Sequence, residues 1–416
     1  MHKAIARLGL GLGIVVLTSG WQTVRALPLK PVPIDKIEHI GIDRQLQANP
    51  SCTEKISLYQ FPTNSNCPNT PQDNPQAQDW NQSNRASLVK AIDDSLYYLS
   101  TPKAAEAYRK YSPDDFTLDR VRRSLLRFKE LLLTTNSPEE LATAVKTEFI
   151  FYQSVGKDNQ GNVEFTGYFE PTYSASLVAT PEYRYPLYRK PSNFDRWAKP
   201  HPTRAQLEGT DGLSGNKSVL SGYELVWLRD RLEAFLVQVQ GSAKLNLTNG
   251  STMTVGYGGT TDYDYTSIGG ELVKDGIFTK EELSLPKLLD YFQAHPQELD
   301  KYIPRNNRFV FFRETNGAKP TGSLGVPVTG DRSIATDKSL MPPGALALIV
   351  APIPDVEANG DITTQVVSRY VLDHDTGSAI KGAGRVDIFL GTGTVAGERA
   401  GRINGSGNLF YLLLKP

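Results

Sequence analysis

Cysteine, histidine clusters, an excess of one charge and long apolar runs are all scarce in this chain, and each shortage removes a class of function. Cysteine occurs twice in 416 residues, at Cys52 and Cys67, too few for a disulfide-built scaffold. The five histidines (His2, His39, His201, His295 and His374) are scattered, with no HExxH or CxxC spacing. No zinc site, structural or catalytic, is expected from them. Lys plus Arg equals Asp plus Glu at 45 each, so the basic field needed for non-specific nucleic-acid binding is missing. A neutral polymer such as a glycan is compatible with that balance. After the first 26 residues no apolar run is long enough to span a bilayer. No internal repeat is present.

The N-terminus is a separate object. His2, Lys3 and Arg7 precede the apolar run LGLGLGIVVLTSG (8–20), and Val24-Arg25-Ala26 places small residues where a signal peptidase acts. Residues 1–26 read as an export signal, with an uncleaved anchor as the alternative. Removing them leaves 42 basic against 45 acidic side chains, a net charge of −3. No cysteine lies near Ala26, which argues against lipid attachment at that end. In an oxidising compartment Cys52 and Cys67 are expected to pair, with two free thiols as the alternative. Residues 27–82 are rich in Pro, Asn and Gln and read as an extended arm.

From residue 83 the pattern turns helical. Leu88, Ile92, Leu96 and Leu99 recur at helical spacing, as do Val121, Leu125, Phe128 and Leu132. Ser137-Pro138-Glu139-Glu140 is a capping box opening a helix with Leu141, Val145 and Phe149. After Gly161 the character becomes β: VEFTGYFEP, YPLYRKP, AFLVQVQGS and AKLNLTNGSTMTVGYGG, with a hairpin turn at Asn249-Gly250. A helical interlude at 279–301 is followed by FVFFRE, GSLGVPVTG, ALALIVAPIP, SRYVLDHD, RVDIFLG and LFYLLLKP. Strands separated by loops predict a mainly β barrel or sandwich with added helices.

Two features carry candidate chemistry. DTGS (375–378) is the tetrapeptide around an aspartic-protease carboxylate, but that chemistry needs two such loops sharing one proton. Only one is present. The remaining reading is a tight turn that ends a strand and fixes Asp375, with Gly377 adopting angles other residues avoid. Asp387 stands inside the apolar run RVDIFLG. Either it faces solvent while Val386 and Ile388 point inward, or it is held for function. GTGTVAG (391–397) looks like a phosphate loop, but it is not expected to open a helix after a parallel strand, so nucleotide binding is set aside.

The segments 375–402 (DTGSAIKGAGRVDIFLGTGTVAGERAGR) and 322–350 (GSLGVPVTGDRSIATDKSLMPPGALALIV) resemble the 3D domain, named for three aspartates, here Asp337, Asp375 and Asp387. Upstream, FTGYFEP, YPLYRKP, VQVQGSAKL and GYGGTTDYDYTSIGG (256–270) resemble the MltA-type lytic murein transglycosylases. The resemblance implies a double-psi β-barrel formed by residues 83–171 and 319–416. It also implies a smaller β-domain inserted at 172–318, with a groove between the two. It implies cleavage of the β-1,4 MurNAc–GlcNAc bond with a 1,6-anhydro product, Asp387 as the single acid/base, and Asp375 raising its neighbour's proton affinity. Thr166, Gly167 and Tyr168 would line the groove, Tyr168 by stacking on sugar unless it simply packs in the core. Gln240, Gly241 and Ser242 would recognise acetamido groups unless they form a polar hairpin end. Lys381 would counter the two acids unless it is solvated. No cofactor is implied. The partners implied are peptidoglycan glycan strands and other wall enzymes, with the chain itself a monomer. Many members of the family are lipoproteins, whereas this chain is expected to be exported to the periplasm or cell envelope without a lipid at its signal end. A non-catalytic wall-binding module is the alternative from another class.

Overall fold

The computed structural model describes residues 27–33, 36–37, 82–111, 113–357 and 359–416. The expected signal, Cys52, Cys67 and most of the expected arm lie outside the described residues. A piece of that arm is β1 (Leu29–Val32), followed by four helices: α1 (Gln82–Leu99), α2 (Pro102–Arg109), α3 (Leu118–Thr134) and α4 (Pro138–Glu148). Then come β2 (Phe149–Ser154) and β3 (Val163–Glu170). The middle of the chain forms β4 (Thr172–Ser176), β5 (Tyr185–Tyr188), α5 (Arg204–Glu208), β6 (Glu224–Leu228), α6 (Arg231–Gln240), β7 (Ser242–Leu247) and β8 (Thr252–Thr260). It continues through α7 (Ile268–Lys274), α8 (Leu285–Ala294), α9 (Leu299–Tyr302) and β9 (Val310–Glu314). The last stretch is β10 (Ser333–Ala335), β11 (Leu346–Val356), β12 (Ile362–Asp375), β13 (Arg385–Thr392), α10 (Thr394–Ala400) and β14 (Gly405–Leu414).

Six strands close on themselves in the order β14-β11-β12-β10-β13-β3, because β3 pairs back onto β14. The β10–β12 and β13–β3 pairs are parallel, and the other four are antiparallel. Parallel neighbours cannot be joined by a tight turn, so the chain must cross the barrel between them. β2 and β1 extend the sheet beyond β14. The helical stripes read from the sequence cover this barrel: Leu88, Ile92, Val121, Leu125, Phe128 and Leu132 are all buried in one cluster with its strands. The middle of the chain forms a second sheet, β5-β6-β4-β7-β8-β9, with its own core. This is the mainly β architecture with added helices that was expected.

Four local expectations need correction. Ser137 does cap α4, accepting the Glu140 N–H at 3.1 Å, but the Glu140 carboxylate accepts from Asn136 N–H rather than closing the box on Ser137. Phe149 was expected on that helix. It starts β2 instead, because it pairs there with Leu414. AFLVQVQGS was read as a strand, and most of it is α6. The Asp230 carboxylate accepts the Leu232 and Glu233 N–H groups, and Gly241 (φ 82°) closes the helix in the left-handed region. Six of its residues from Leu232 to Gln238 are buried, so it has no single apolar stripe by which to recognise it. GSLGVPVTG was also expected as a strand and is a loop holding one bridge, Thr321 to Pro327. The Asn249-Gly250 turn forms as read, joining β7 to β8 with Gly250 at φ 85°.

Candidate active site

Ala335 on β10 sits in register with two acids, Asp375 at the end of β12 and Asp387 on β13, and Asp387 is in turn in register with Thr166 on β3. Residues side by side across a sheet share a face, so these four form one row on the barrel surface. Val386 and Ile388 are fully buried, as the alternation required. Asp387 therefore points outward, yet it is not a solvated surface acid. It is half-buried, and Thr166 Oγ1 donates to its Oδ1 at 2.9 Å.

Burial pushes the Asp387 carboxyl up to about 6, with the Thr166 bond and Arg385 opposing and Asp375 adding to the rise. The Arg385 guanidinium makes no hydrogen bond to Asp387 and is paired with Glu164 at 3.0 Å. Like charge from Asp375 was expected to be the cause of this rise. It acts in that direction, but burial comes first.

Asp375 is held differently. Its Oδ1 accepts from the Ser323 and Thr376 N–H groups at 2.7 and 2.8 Å, and its Oδ2 accepts from the Tyr168 hydroxyl at 2.9 Å. Burial raises its proton affinity, and these three bonds work against the rise. The DTGS turn thus fixes its acid as expected, though not through Gly377, which has no positive φ. The left-handed residue of the loop is Gly382, at φ 82°. The third aspartate, Asp337, staples that loop. It accepts from Ser339 N–H and Oγ and from Gly382 N–H. Burial works against its ionisation, but the bonds from Ser339 and Gly382 outweigh it and hold its carboxyl low.

The other expected site residues divide. Lys381 is exposed, and its charge acts on Asp337 rather than on the two acids. The cation behind Asp375 is Lys338, whose Nζ donates to the Asp375 carbonyl, Thr336 Oγ1 and the buried Asp373. Tyr168 gives its hydroxyl to Asp375 and lies 5.1 Å from the Phe389 ring. Gly167 does not face the acids: a Cβ there would stand 2.8 Å from Ala400 Cα, so its role is close packing of α10. Gln240 Oε1 accepts the Phe169 N–H at 3.0 Å, which ties α6 to the end of β3, while Gly241 ends α6 and Ser242 opens β7. GTGTVAG does open a helix, α10, after a strand parallel to β3. A phosphate is still disfavoured, because the buried Glu170 carboxylate is held there by Thr392 Oγ1.

Sequence reasoning missed Ala335, Lys338 and Asp373. Asp373 is fully buried, accepts from Thr336 and Tyr411 hydroxyls at 2.7 Å, and is pushed up by burial with Lys338 opposing. The neighbouring His374 lies between Ser95 and Ser333 at 2.8 Å each, and burial lowers its pKa to about 3, so it stays neutral. The intervening β10 separates the Asp375 and Asp387 backbones by about 10 Å, two strand spacings. Their carboxyls are engaged by different donors. A protease dyad sharing one proton does not fit this arrangement. Among the described residues no three His, Cys, Asp or Glu side chains come together as a metal-ligating group. What remains is one protonatable group on an outward face and one acid fixed by three donors.

Residues 164–313 match the model of the MltA specific insert domain, and residues 332–413 match that of the 3D domain. The membrane-bound lytic murein transglycosylase A of Escherichia coli K12 is 34% identical over 267 residues, 64% of this chain and 69% of that protein. Its Buchnera aphidicola homologue is 32% identical over 263 residues, 63% of this chain and 69% of that one. Among solved structures, E. coli MltA with bound chitohexaose superposes with TM-score 0.62 at 28% identity, covering 80% of this chain and 90% of that one. A membrane-bound lytic murein transglycosylase from Agrobacterium tumefaciens has the same TM-score at 25% identity, covering 78% and 92%.

Proposed function

From a chain that belongs to the MltA family of lytic murein transglycosylases, enzymes that act on peptidoglycan as lyases, we propose a mechanism in which Asp387 alone carries the proton. The observation that supports it is a half-buried carboxyl raised to about 6 and held by a single hydroxyl, Thr166. Protonated Asp387 gives its proton to the glycosidic oxygen of a β-1,4 MurNAc–GlcNAc bond as the bond from that oxygen to C1 breaks. As carboxylate, it then takes the proton from the sugar's own 6-hydroxyl, whose oxygen closes on C1 to form the 1,6-anhydro ring. One group serves as acid and then as base, with no water consumed. A pKa near 6 suits both half-reactions.

Asp375 is not the nucleophile or water-activating base of a two-carboxylate glycosidase, because both of its oxygens are already taken by donors. Its role is to hold Tyr168 and the Ser323 loop beside the reacting sugar. Thr166 aims Asp387, and the Tyr168 ring offers a face to the sugar. The substrate assignment draws on the chitohexaose bound by the E. coli relative. Location in the cell envelope follows the relatives' description as membrane-bound. No helix among the described residues is long and apolar enough to cross a membrane. Mass analysis of products from purified peptidoglycan tests the reaction. Muropeptides one water lighter than hydrolysed ones are expected, and products at the hydrolysed mass, or none, contradict it.

A further inference from the structure

Arg385 leaves a donor unused beside an acid. It stands two residues before Asp387 on β13, so the two side chains share one face of the strand. Two strand steps separate their Cα atoms by about 6.6 Å, within reach of an arginine side chain. The Arg385 Nε is buried with no hydrogen-bond partner among the described residues, a costly state for a charged donor. Yet the guanidinium turns its Nη1 to Glu164 on the neighbouring strand, at 3.0 Å, and not to the carboxyl on its own strand.

Glu164 is itself anchored. It sits in register with Arg385 across the β13–β3 pair, and its N–H donates to the Gly384 carbonyl at 2.9 Å. Its carboxylate is also paired with the exposed Lys157. A Cβ at position 384 would stand 2.5 Å from the Lys157 backbone nitrogen, so glycine there lets the Lys157 segment lie against the strand. Burial works against ionisation of Glu164, but Lys157 and Arg385 outweigh it and hold its carboxyl low. What happens to an aspartate that does bond arginines is visible elsewhere on the barrel. At Asp331, burial is outweighed by Arg369 and Arg399, and the carboxyl is held below its usual range.

We propose that Glu164 is a positioning residue for the reaction: anchored by Lys157, it holds the Arg385 guanidinium off Asp387 and keeps the acid free to carry its proton. This deepens the single-acid mechanism and rests on it. The other groups that face Asp387 are Thr166 and Tyr168 from β3 and Asp375 from the end of β12. Its neighbour on β10, Ala335, carries no charge. Arg385 is thus the one cation among the described groups that act on Asp387, and where its guanidinium rests decides the charge state of the acid. An arginine brought onto an aspartate lowers its pKa by about 1–3. That would strip the proton from Asp387 at the pH where it has to donate.

The test is a double-mutant cycle on the full-length enzyme, with two readouts. One is the carbon-13 NMR titration midpoint of the Asp387 carboxyl, and the other is the pH profile of kcat/KM on purified peptidoglycan. Glu164→Gln releases Arg385 and should lower the midpoint from near 6 to near 5 or below. The alkaline limb should move with it, so kcat/KM at pH 7 falls by up to about tenfold, the protonated fraction lost per pH unit. Arg385→Gln should leave the midpoint no lower than in the wild type, and Glu164→Gln added to Arg385→Gln should cause no fall. An unmoved midpoint in Glu164→Gln overturns the proposal. An equal fall in both backgrounds also overturns it, since Glu164 would then act by its own charge. A raised KM with the midpoint unmoved makes the Glu164–Arg385 pair part of the sugar-binding surface and overturns it as well. Should Glu164→Gln not fold, Glu164→Asp keeps the charge but shortens the tether and should show part of the same fall, and no fall there overturns the proposal. Failure of the transglycosylase reading looks different, because the wild type then yields no anhydro product while the titration can still be read.

Discussion

Asp331 and Asp387 lie on the same barrel, and their surroundings push them in opposite directions. Asp331 hydrogen-bonds the backbone of β13 at Phe389, two residues from Asp387. Its carboxylate accepts from Arg369 Nη1 and from Arg399 Nη1 and Nη2. Burial opposes its ionisation, but the two guanidiniums outweigh burial and hold it below the usual range. Asp387 has comparable burial but no guanidinium bonded to it: Arg385 acts on it only through its charge and is paired with Glu164. Its carboxyl is pushed up to about 6. The same side chain is a fixed strut at one position and a proton carrier at the other, and the nearby cations decide which.

Replacing each acid by its amide should separate the two roles. Asp387→Asn keeps the shape and the Thr166 bond but cannot move a proton, so turnover should fall by at least about 10²–10⁴-fold. Muropeptide release measured by chromatography checks this, and retention of a tenth of wild-type turnover would remove Asp387 from the mechanism. Asp331→Asn should instead lower stability, by about 3 kcal/mol at neutral pH, because the buried Arg369 and Arg399 guanidiniums lose the carboxylate that bonds them both. Its turnover per folded molecule should stay at the wild-type level, checked by denaturant melts beside activity.

A smaller effect has the opposite sign. A carboxyl raised in the folded state binds its proton more tightly there than when unfolded. Its ionisation therefore costs stability progressively between pH about 4 and 6. Asp387→Asn should then be more stable than wild type by about 2 kcal/mol at pH 8 and no more stable at pH 4. Asp331→Asn should show the reverse trend, with its deficit shrinking as the pH falls, since a depressed pKa stabilises only above the unfolded value. Melting temperatures at these two pH values check the first sign, and a third set below about pH 3 checks the second; parallel shifts would break the comparison. The smallest effect belongs to Asp375→Asn. Loss of its charge should move the alkaline limb of the activity profile slightly downward, because like charge is the last of the causes raising Asp387. Tyr168→Phe, which removes only the hydroxyl bonded to Asp375, should leave that limb in place.

Much of this site was legible where period-2 patterning met a polar exception. Val386, Asp387 and Ile388 gave their faces correctly, and the turn after Asp375 was readable from its Asp-Thr-Gly chemistry. Helical stripes such as Val121, Leu125 and Phe128 were readable because only one side of each helix is buried. α6 was not, since burial on many sides removes the stripe and leaves β-branched residues that suggest a strand. The capping signals Asp230 and Gly241 were present but outweighed by that composition. Lys338 and Ala335 were invisible for another reason. Their importance comes from parallel pairing of β10 with β12, a long-range register that no local spacing encodes. Lys381 lies closer in sequence to both acids, yet its loop carries it to Asp337.

The central claim is that Asp387 titrates alone and high. Titration of its side-chain carboxyl by carbon-13 NMR, assigned through loss of the signal in Asp387→Asn, measures this without substrate. The account predicts a midpoint near 6, together with a fall in kcat/KM above the same pH. A midpoint near 4, the value of an ordinary solvated aspartate, would contradict it.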